Sequence, residues 1–412
     1  MSEQAAPSSK LAVFRHRGFT LLLFSRVVAA FGHQMLNVAI GYLIWVMTKD
    51  ALNLAFVGLA QFIPAMALAL FTGHAADRFD RRYVVAACYA VQGVCASLFV
   101  AYLVFEIEVI WPLFATLAVL GAARAFYQPA SQALMPNLVP EKDVPTAIAW
   151  GSSSNKMANI TSPALGGLLY DLFGPLTVFG VACCFYIIAT FMISSIGKTT
   201  QKSKREPLSW DSLVAGFSYM RLKPILLGAI TMDLFAVLFG GLTALLPIYA
   251  TDVLDSGASG LGLLRSSPAV GALLAGLILT QIPPMRRSGL ILYISVAAYG
   301  LATVAFAYSE IFLLSMFALA LVGASDMVSV YIRLTIIQLN TPDHMRGRVS
   351  AVNSMFTTAS NELGEFRAGI MAVAFGAVSS AAIGGIAVLA VTAACWKLFP
   401  DLARADRLES MN

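Results

Sequence analysis

Residues 175–196 read "PLTVFGVACCFYIIATFMISSI", a run without one charged side chain. Wound as an α-helix at ~1.5 Å per residue it reaches ~33 Å, enough to cross a hydrocarbon core ~30 Å thick. A soluble helix of that length carries a polar stripe on its solvent face, whereas this one is apolar all round. It is a membrane span. Comparable runs recur along the chain, at approximately 18–46, 52–73, 83–105, 110–136, 144–170, 175–196, 224–251, 259–281, 289–308, 310–339, 347–371 and 375–398. Only 12% of the 412 residues are charged and 58% are hydrophobic, against roughly 25% charged in a soluble domain. The expected fold is therefore all-α and polytopic, with twelve transmembrane helices, some long enough to tilt or to project into water.

Lysine and arginine set the orientation. Arg15, Arg17, Arg81, Arg82, Lys202, Lys204, Arg205, Arg346 and Arg348 all fall on one side if the N-terminus is inside, while the opposite loops hold only Lys49. An N-in, C-in topology is expected. The longest polar connection, "GKTTQKSKREPLSW" from Gly197, divides the spans six and six, as in a duplicated transporter. The expected organisation is a cytoplasmic arm over 1–17, a six-helix bundle over 18–196, a cytoplasmic linker over 197–223, a second six-helix bundle over 224–398 and a cytoplasmic tail over 399–412. Trp210, Leu213, Phe217 and Met220 recur at helical spacing and predict a short helix lying in the interface.

Several function classes are excluded by the same pattern. The formal charge of +5 does not indicate nucleic-acid binding, because the basic residues sit in short loops between apolar spans. Cys88, Cys95, Cys183, Cys184 and Cys395 fall in apolar segments without metal-ligand spacing, which reads as helix packing. Gly197–Thr199 reads "GKT", but the first glycine of a phosphate loop would fall at Met192 and no strand precedes it. No nucleophile is arranged with a base, so neither an enzyme, a cofactor nor a metal is expected. The start, "MSEQAAPSSKLAVFRHRG", is a polar arm leading into a span too long for a signal-peptide core, so no processing is expected.

Two short motifs narrow the fold. Between spans two and three stands "GHAADRFDRR", where Gly73 permits close helix approach, Asp77 can accept from the N-terminus of a facing helix, and Arg78, Arg81 and Arg82 can pair with carboxylates or lipid phosphates. Ordinary positive-inside charge accounts for the arginines but not for Asp77 or Asp80. The run resembles the loop signature of the major facilitator superfamily, G-x-x-x-D-R-x-G-R-R/K, with Asp80 where glycine is usual. That resemblance implies a latch holding the two halves in the outward-facing state. The equivalent loop of the second half, "LTQIPPMRRSG", keeps Arg286 and Arg287 but has Ile282 at the aspartate position, so the latch is expected on one side only.

Span five contains "ANITSPALGGLL", in which Ala158, Ser162 and Gly166 give a smooth packing face and Pro163 removes a backbone donor and is expected to bend the helix. With Gly167 it resembles the superfamily's antiporter motif, G-x-x-x-G-P-x-x-G-G, with alanine and serine replacing two glycines. "LGAARAFYQPASQALMPNLVPEKDVPTAIA" and "DHMRGRVSAVNSMFTTASNELGEF" are similar to the branch that contains the enterobactin exporter and related siderophore and drug efflux proteins, a likeness running over nearly all of the chain. Arg367 departs from the acidic or small polar residue expected after "GEF" in that branch.

Charged side chains inside spans cost roughly 3 kcal/mol or more each, so they mark function. Counting inward from Arg348, Glu362 lies about 21 Å and Glu365 about 25 Å along span eleven. They share a face, while Arg367 points about 140° away from Glu362 and is expected to snorkel outward. The carboxylates therefore need partners on other helices, a bound cation or protons, and desolvation favours the neutral acid. Span one carries a stripe of Arg26, His33 and Asn37, span four Arg124, span five Lys156 and span seven Asp233. On span ten Asp326 and Arg333 share a face ~10 Å apart, too far for a direct pair. If the superfamily arrangement holds, Arg26, His33, Asn37, Arg124, Asp233 and Arg333 line a substrate cavity, and Glu362, Glu365 or Asp326 carries the proton.

The function expected is a proton-coupled secondary transporter in the bacterial inner membrane, exporting a small amphipathic molecule, siderophore or drug-like, by alternating access. The competing reading is a lipid or lysolipid flippase, or a small-solute importer, of the same fold. The expected partners are the small-molecule substrate, protons and membrane lipids, and the expected state is a monomer. If Asp77 joins the halves in one state, Asp77→Asn weakens the outward-facing conformation without unfolding the protein. Cysteine-accessibility labelling from both sides of the membrane checks this: labelling shifts toward the inward-facing pattern, and an unchanged pattern rejects the latch.

Overall fold

The computed structural model describes residues 11–197, 210–281 and 287–403, without the side chains of residues 69–70, 73–77, 210–213 and 343–344. The described residues form helices and no strand. In hydrocarbon no water answers a backbone amide, so a chain this apolar must satisfy its backbone within each segment. In chain order the helices are α1 Arg17–Thr48, α2 Ala51–Arg78, α3 Arg81–Val104, α4 Trp111–Leu134, α5 Val144–Ser194, α6 Trp210–Arg221, α7 Pro224–Gly240, α8 Leu246–Ile248, α9 Gly257–Leu279, α10 Ser288–Ala307, α11 Phe312–Leu339, α12 Asp343–Phe375, α13 Ala377–Leu398 and α14 Pro400–Ala403.

Nine segments among the described residues are long and apolar enough to cross a membrane. The longest, Glu141–Ser194 with 54 residues, far exceeds the ~20 that one crossing needs. Neither α4 nor α12 is among the nine. For α12 the reason is its content of Arg346, Arg348, Glu362, Glu365 and Arg367.

Two elements depart from the expected spans. Spans five and six form the single run α5, folded back at Gly174, whose φ of 79° and ψ of 173° are open only to glycine. Gly376, between α12 and α13, adopts nearly the same conformation, with φ 83° and ψ 159°. Lys49, between α1 and α2, and Asp255, before α9, are both left-handed, with φ of 49° and 44°. The special backbone positions thus repeat about 200 residues apart, the mark of an internal duplication. Span seven, expected to run unbroken to residue 251, instead stops at Gly240 and continues as a short 3-10 turn, the single turn α8 and a π-turn over Tyr249–Val253. Pro247 removes one backbone donor there, and the C-terminal carbonyls of α7 are taken by side chains described below.

The chain forms two compact units, Met1–Asn37 with Ile63–Ser162 and Leu172–Pro207, and Val38–Phe62 with Pro163–Asp171 and Leu208–Asn412. In the first, α3 packs along α4. Phe99 and Phe179 meet at 5.4 Å inside it, both fully buried. In the second, α11 packs between α9 and α10, α13 lies against α10 and α7, and α12 lies against α7 and α6. The stretch Pro163–Asp171 of α5, just before the fold-back at Gly174, belongs to this second unit. A Cβ on Gly167 would land on the Ala258 carbonyl oxygen, and one on Gly262 would land on that of Pro163, so the two helices touch backbone to backbone. A Cβ on Gly180 would meet nothing within 4 Å. Gly167→Ala should therefore lower the melting temperature in detergent by the equivalent of about 1–3 kcal/mol of overpacking, and Gly180→Ala should leave it unchanged or raised.

Candidate functional site

The stretch Asn361–Phe366 of α12, "NELGEF", is where the second unit gathers its charge. Gly364 makes the crossing possible, since a Cβ there would meet the Val237 carbonyl oxygen at 2.8 Å and that of Leu238 at 2.9 Å. With α12 pressed onto the end of α7, Glu362 and Glu365 turn toward α2 and α9. A Cβ on Gly58 of α2 would lie 3.0 Å from Glu362 Oε2 and 3.7 Å from Glu365 Oε2, so both carboxylates converge on one small space. Arg265 of α9 lies in electrostatic reach of both. Thr243 stands beside Glu365. Arg265 was missed in reading the sequence, although a lone arginine in the apolar run 259–281 was a signal of the same kind as those followed up.

Arg367 does not snorkel. It folds onto the broken end of α7, where Nε donates to the Leu238 carbonyl at 3.1 Å and a terminal nitrogen donates to that of Phe239 at 2.6 Å. Tyr299 of α10 donates to the Gly240 carbonyl at 3.1 Å. Helix-end carbonyls carry partial negative charge and have no partner in hydrocarbon, so a guanidinium and a hydroxyl stabilise a break that lipid cannot. The departure at residue 367 is thus a cap on α7.

Arg333 is likewise held inside the unit. It is 3% exposed and pairs with Asp233 of α7, itself 4% exposed, at 2.5 Å. It also donates to Asn353 Oδ1 and Thr357 Oγ1 of α12, each at 3.1 Å. Both residues, expected to line a substrate cavity, form a buried ion pair tying α7, α11 and α12 together. Asp326 sits two turns back on α11, half-buried, and with Asp233 and Tyr299 lines a small space.

The first unit carries the opposite charge. Of the expected stripe on α1, His33 Nε2 and Asn37 Nδ2 are 3.0 Å apart, and Gln34 donates to Asn159 at 2.9 Å. Arg26 departs from that pair and lies in reach of the buried Tyr89. Tyr89 stacks at a tilt on Tyr127, 5.1 Å away. Arg124 of α4 lies in reach of Tyr186, whose buried hydroxyl makes no hydrogen bond. Among the described residues, neither Arg26, Arg124 nor Lys156 forms an ion pair.

In the latch loop, the side chains of Gly73 and Asp77 lie outside the described residues, as do Ile282 and Arg286. Arg78 is exposed. Asp80 caps α3, accepting from the Arg82 amide at 3.0 Å and pairing with its guanidinium at 2.5 Å. Arg81 donates to the Ala133 carbonyl at 3.1 Å and Arg82 to that of Ile196 at 2.6 Å, where α4 and α5 end. In the antiporter-like motif Ser162, Pro163, Gly166 and Gly167 are all buried, and the Ser162 hydroxyl donates to the Ala158 carbonyl. The end of that helix shows a contact that no motif announced: Asp171 accepts from the amides of Ala258, at 3.0 Å, and Ser259, at 2.7 Å, at the start of α9. Beside it, in the same unit, Lys49 pairs with Asp252 at 2.9 Å and Trp45 donates to Thr251 at 2.7 Å.

Helices broken and capped inside the membrane, glycine crossings and charges held within spans describe a transport protein. Residues 8–411 match the family model MFS_3, transmembrane secretion effector. The chain belongs to that family. It is a multi-pass membrane transporter of the major facilitator superfamily, as the loop motifs indicated, and its likeness to the enterobactin-exporter branch extends over nearly its whole length. The enterobactin exporter EntS of Citrobacter koseri is 24% identical over 397 residues, covering 94% of this chain and 93% of its own. That of Salmonella typhi is 24% identical, covering 91% of each. Among solved structures, a bacterial homologue of the human lysosomal transporter Spinster, inward-facing and unoccupied, superposes with a TM-score of 0.70 at 14% identity, covering 95% of this chain and 97% of that one. An inward-facing bacterial homologue of the iron transporter ferroportin gives 0.69 at 16% identity, covering 94% and 98%. These share the fold.

The Asp233–Arg333 pair makes its own prediction. Removing one member leaves the other charged and unanswered in the interior, at about 3–5 kcal/mol. Asp233→Asn or Arg333→Leu should each lower the melting temperature sharply, and Asp233→Leu combined with Arg333→Met should recover most of the loss, read as thermal unfolding of purified protein.

Proposed function

We propose that this protein is a proton-coupled exporter of a small amphipathic molecule, working by alternating access in the bacterial inner membrane. One observation carries the reading: two carboxylates, Glu362 and Glu365, converge at Gly58 with one arginine, Arg265, in reach of both. In a medium of low dielectric two neighbouring carboxylates resist ionising together, and a proton on one of them is the least costly way to relieve that. When the site opens to water, the ionised form is solvated and the proton leaves. The affinity for the proton therefore differs between states, which is what coupling requires.

The architecture proposed with it is twelve helices, N-in and C-in, as six-helix bundles over 18–196 and 224–398. The repeated left-handed turns about 200 residues apart support this duplication. In that topology the contacts of Asp171, Lys49 and Trp45 with the segment 251–259 lie at the external end and act as its gate. The basic residues Arg26 and Arg124, without carboxylate partners and beside buried tyrosines, suit a substrate with an anionic, aromatic part. Siderophores and drug-like acids have that chemistry, and the names of the relatives agree with the first. The protein works as a monomer among membrane lipids.

The test separates coupling from binding. Glu362→Gln and Glu365→Gln should abolish accumulation driven by a proton gradient in vesicles while retaining downhill substrate exchange, with Asp326→Asn measured beside them. Full gradient-driven transport in both glutamine variants rejects the carboxylate pair. Substrate uptake in place of extrusion, on vesicles of known orientation, assigns an importer.

A further inference from the structure

Along five helical stretches of the first unit, 18–37, 83–104, 111–134, 144–162 and 172–194, the charged residues are Arg26, Arg124 and Lys156, and there is no aspartate or glutamate. Arg124 and Tyr127 are three residues apart on α4 and so share a face. Tyr127 lies against Tyr89 of α3, ring to ring at 5.1 Å. Gln92 follows Tyr89 by three residues, on the same side of α3. Tyr186 of α5 is held between α1 and α3. A Cβ on Gly32 would lie 3.6 Å from its ring, and one on Gly93 would lie 3.4 Å from its Cβ. Both Arg124 and Tyr127 are in electrostatic reach of Tyr186.

Two enclosed polar groups of this cluster have no partner. Tyr186 is fully buried and its hydroxyl makes no hydrogen bond. Gln92 is 4% exposed and its amide nitrogen makes none. Buried polar atoms in folded proteins are almost always satisfied, so each asks for a partner. The amide nitrogen can only donate, the phenol can donate, and a guanidinium offers five donors and no acceptor. What the cluster lacks is an acceptor. Arg124 makes that acceptor an anion, because a charged acceptor bonds these donors about twice as strongly as a neutral one. Arg124 is exposed and Tyr127 half-buried, so an anion meets the arginine first and the enclosed donors form the inner end.

We infer that the Tyr186 hydroxyl and the Gln92 amide are specificity-determining donors for an oxyanion of the transported substrate, a carboxylate or a phosphate, with Arg124 supplying the opposite charge. The inference rests on the reading of Arg124 as a substrate side chain, but its test needs neither a proton gradient nor transport. A ligand bound only by the folded state raises the melting temperature in a saturable way. Purified protein is melted with increasing 1-naphthoate, 1-naphthyl phosphate or the uncharged 1-naphthamide. Wild type should be stabilised by one or both anions and not by the amide, and the stronger anion tells carboxylate from phosphate. Tyr186→Phe removes a hydroxyl that has no partner, so the empty variant should melt no lower than wild type, whereas loss of a structural hydrogen bond lowers it. In the same variant the half-saturating anion concentration should rise about ten-fold, the worth of one hydrogen bond to a charged group. Gln92→Leu should behave in the same way. If both variants respond at the wild-type concentrations, the arginine holds the anion alone: the inference falls and the export reading stands. Equal stabilisation by naphthamide, or none by either anion, overturns the oxyanion site itself. A Tyr186→Phe protein that melts lower or fails to fold assigns the hydroxyl to structure, which also overturns the inference.

Discussion

A charge or a free carbonyl in hydrocarbon has to be answered by the protein itself, and the second unit is arranged around that demand. Its focal point is the broken end of α7. Three consecutive carbonyls, from Leu238 to Gly240, are turned loose there and are taken by Arg367 and Tyr299. The guanidinium reaches them only because Gly364 lets α12 lie directly on α7. The same crossing fixes which way the rest of α12 faces. One turn of helix thus combines a packing glycine, a cap and two carboxylates, and none of the three can move without the others.

From that crossing the remaining charges fall into an order of depth and partnership. Asp233 and Arg333 are matched and enclosed, and they join three helices as a fixed strut. Glu362 and Glu365 converge on a glycine, with Arg265 in reach of both. Asp326 is in no ion pair among the described residues and is only half-buried. A transporter needs both kinds of group: matched pairs that hold helices through the cycle, and unmatched ones whose charge depends on which side has access. The first unit holds Arg26 and Arg124, in no ion pair among the described residues, beside buried tyrosines.

How far this could be read in advance depends on the range of the forces involved. Membrane character follows from one-dimensional composition, because each span must be apolar by itself. The loop and antiporter motifs were legible for the same reason, being local patterns of small and charged residues. The sequence likewise showed that Glu362 and Glu365 share a face and that Arg367 does not, since helical periodicity alone decides it. It did not show what stands opposite. Arg265 lies nearly one hundred residues away on another helix, and Asp171 finds its partners at the start of α9 only when a helix end arrives there. No local pattern encodes either.

By itself, then, the sequence determined the spans, their hydrophobic length, the special role of its glycines and the set of charges that could not be left to lipid. The tertiary structure decided how those charges were distributed. It turned Arg333 from a cavity side chain into half of a buried pair and Arg367 from a snorkelling residue into a helix cap, and it left Asp326 facing a void. The physical reason is the steepness of electrostatics in a low dielectric. Whether a charge is structural or functional there depends on a few ångströms between helices, and that distance exists only once the helices have packed.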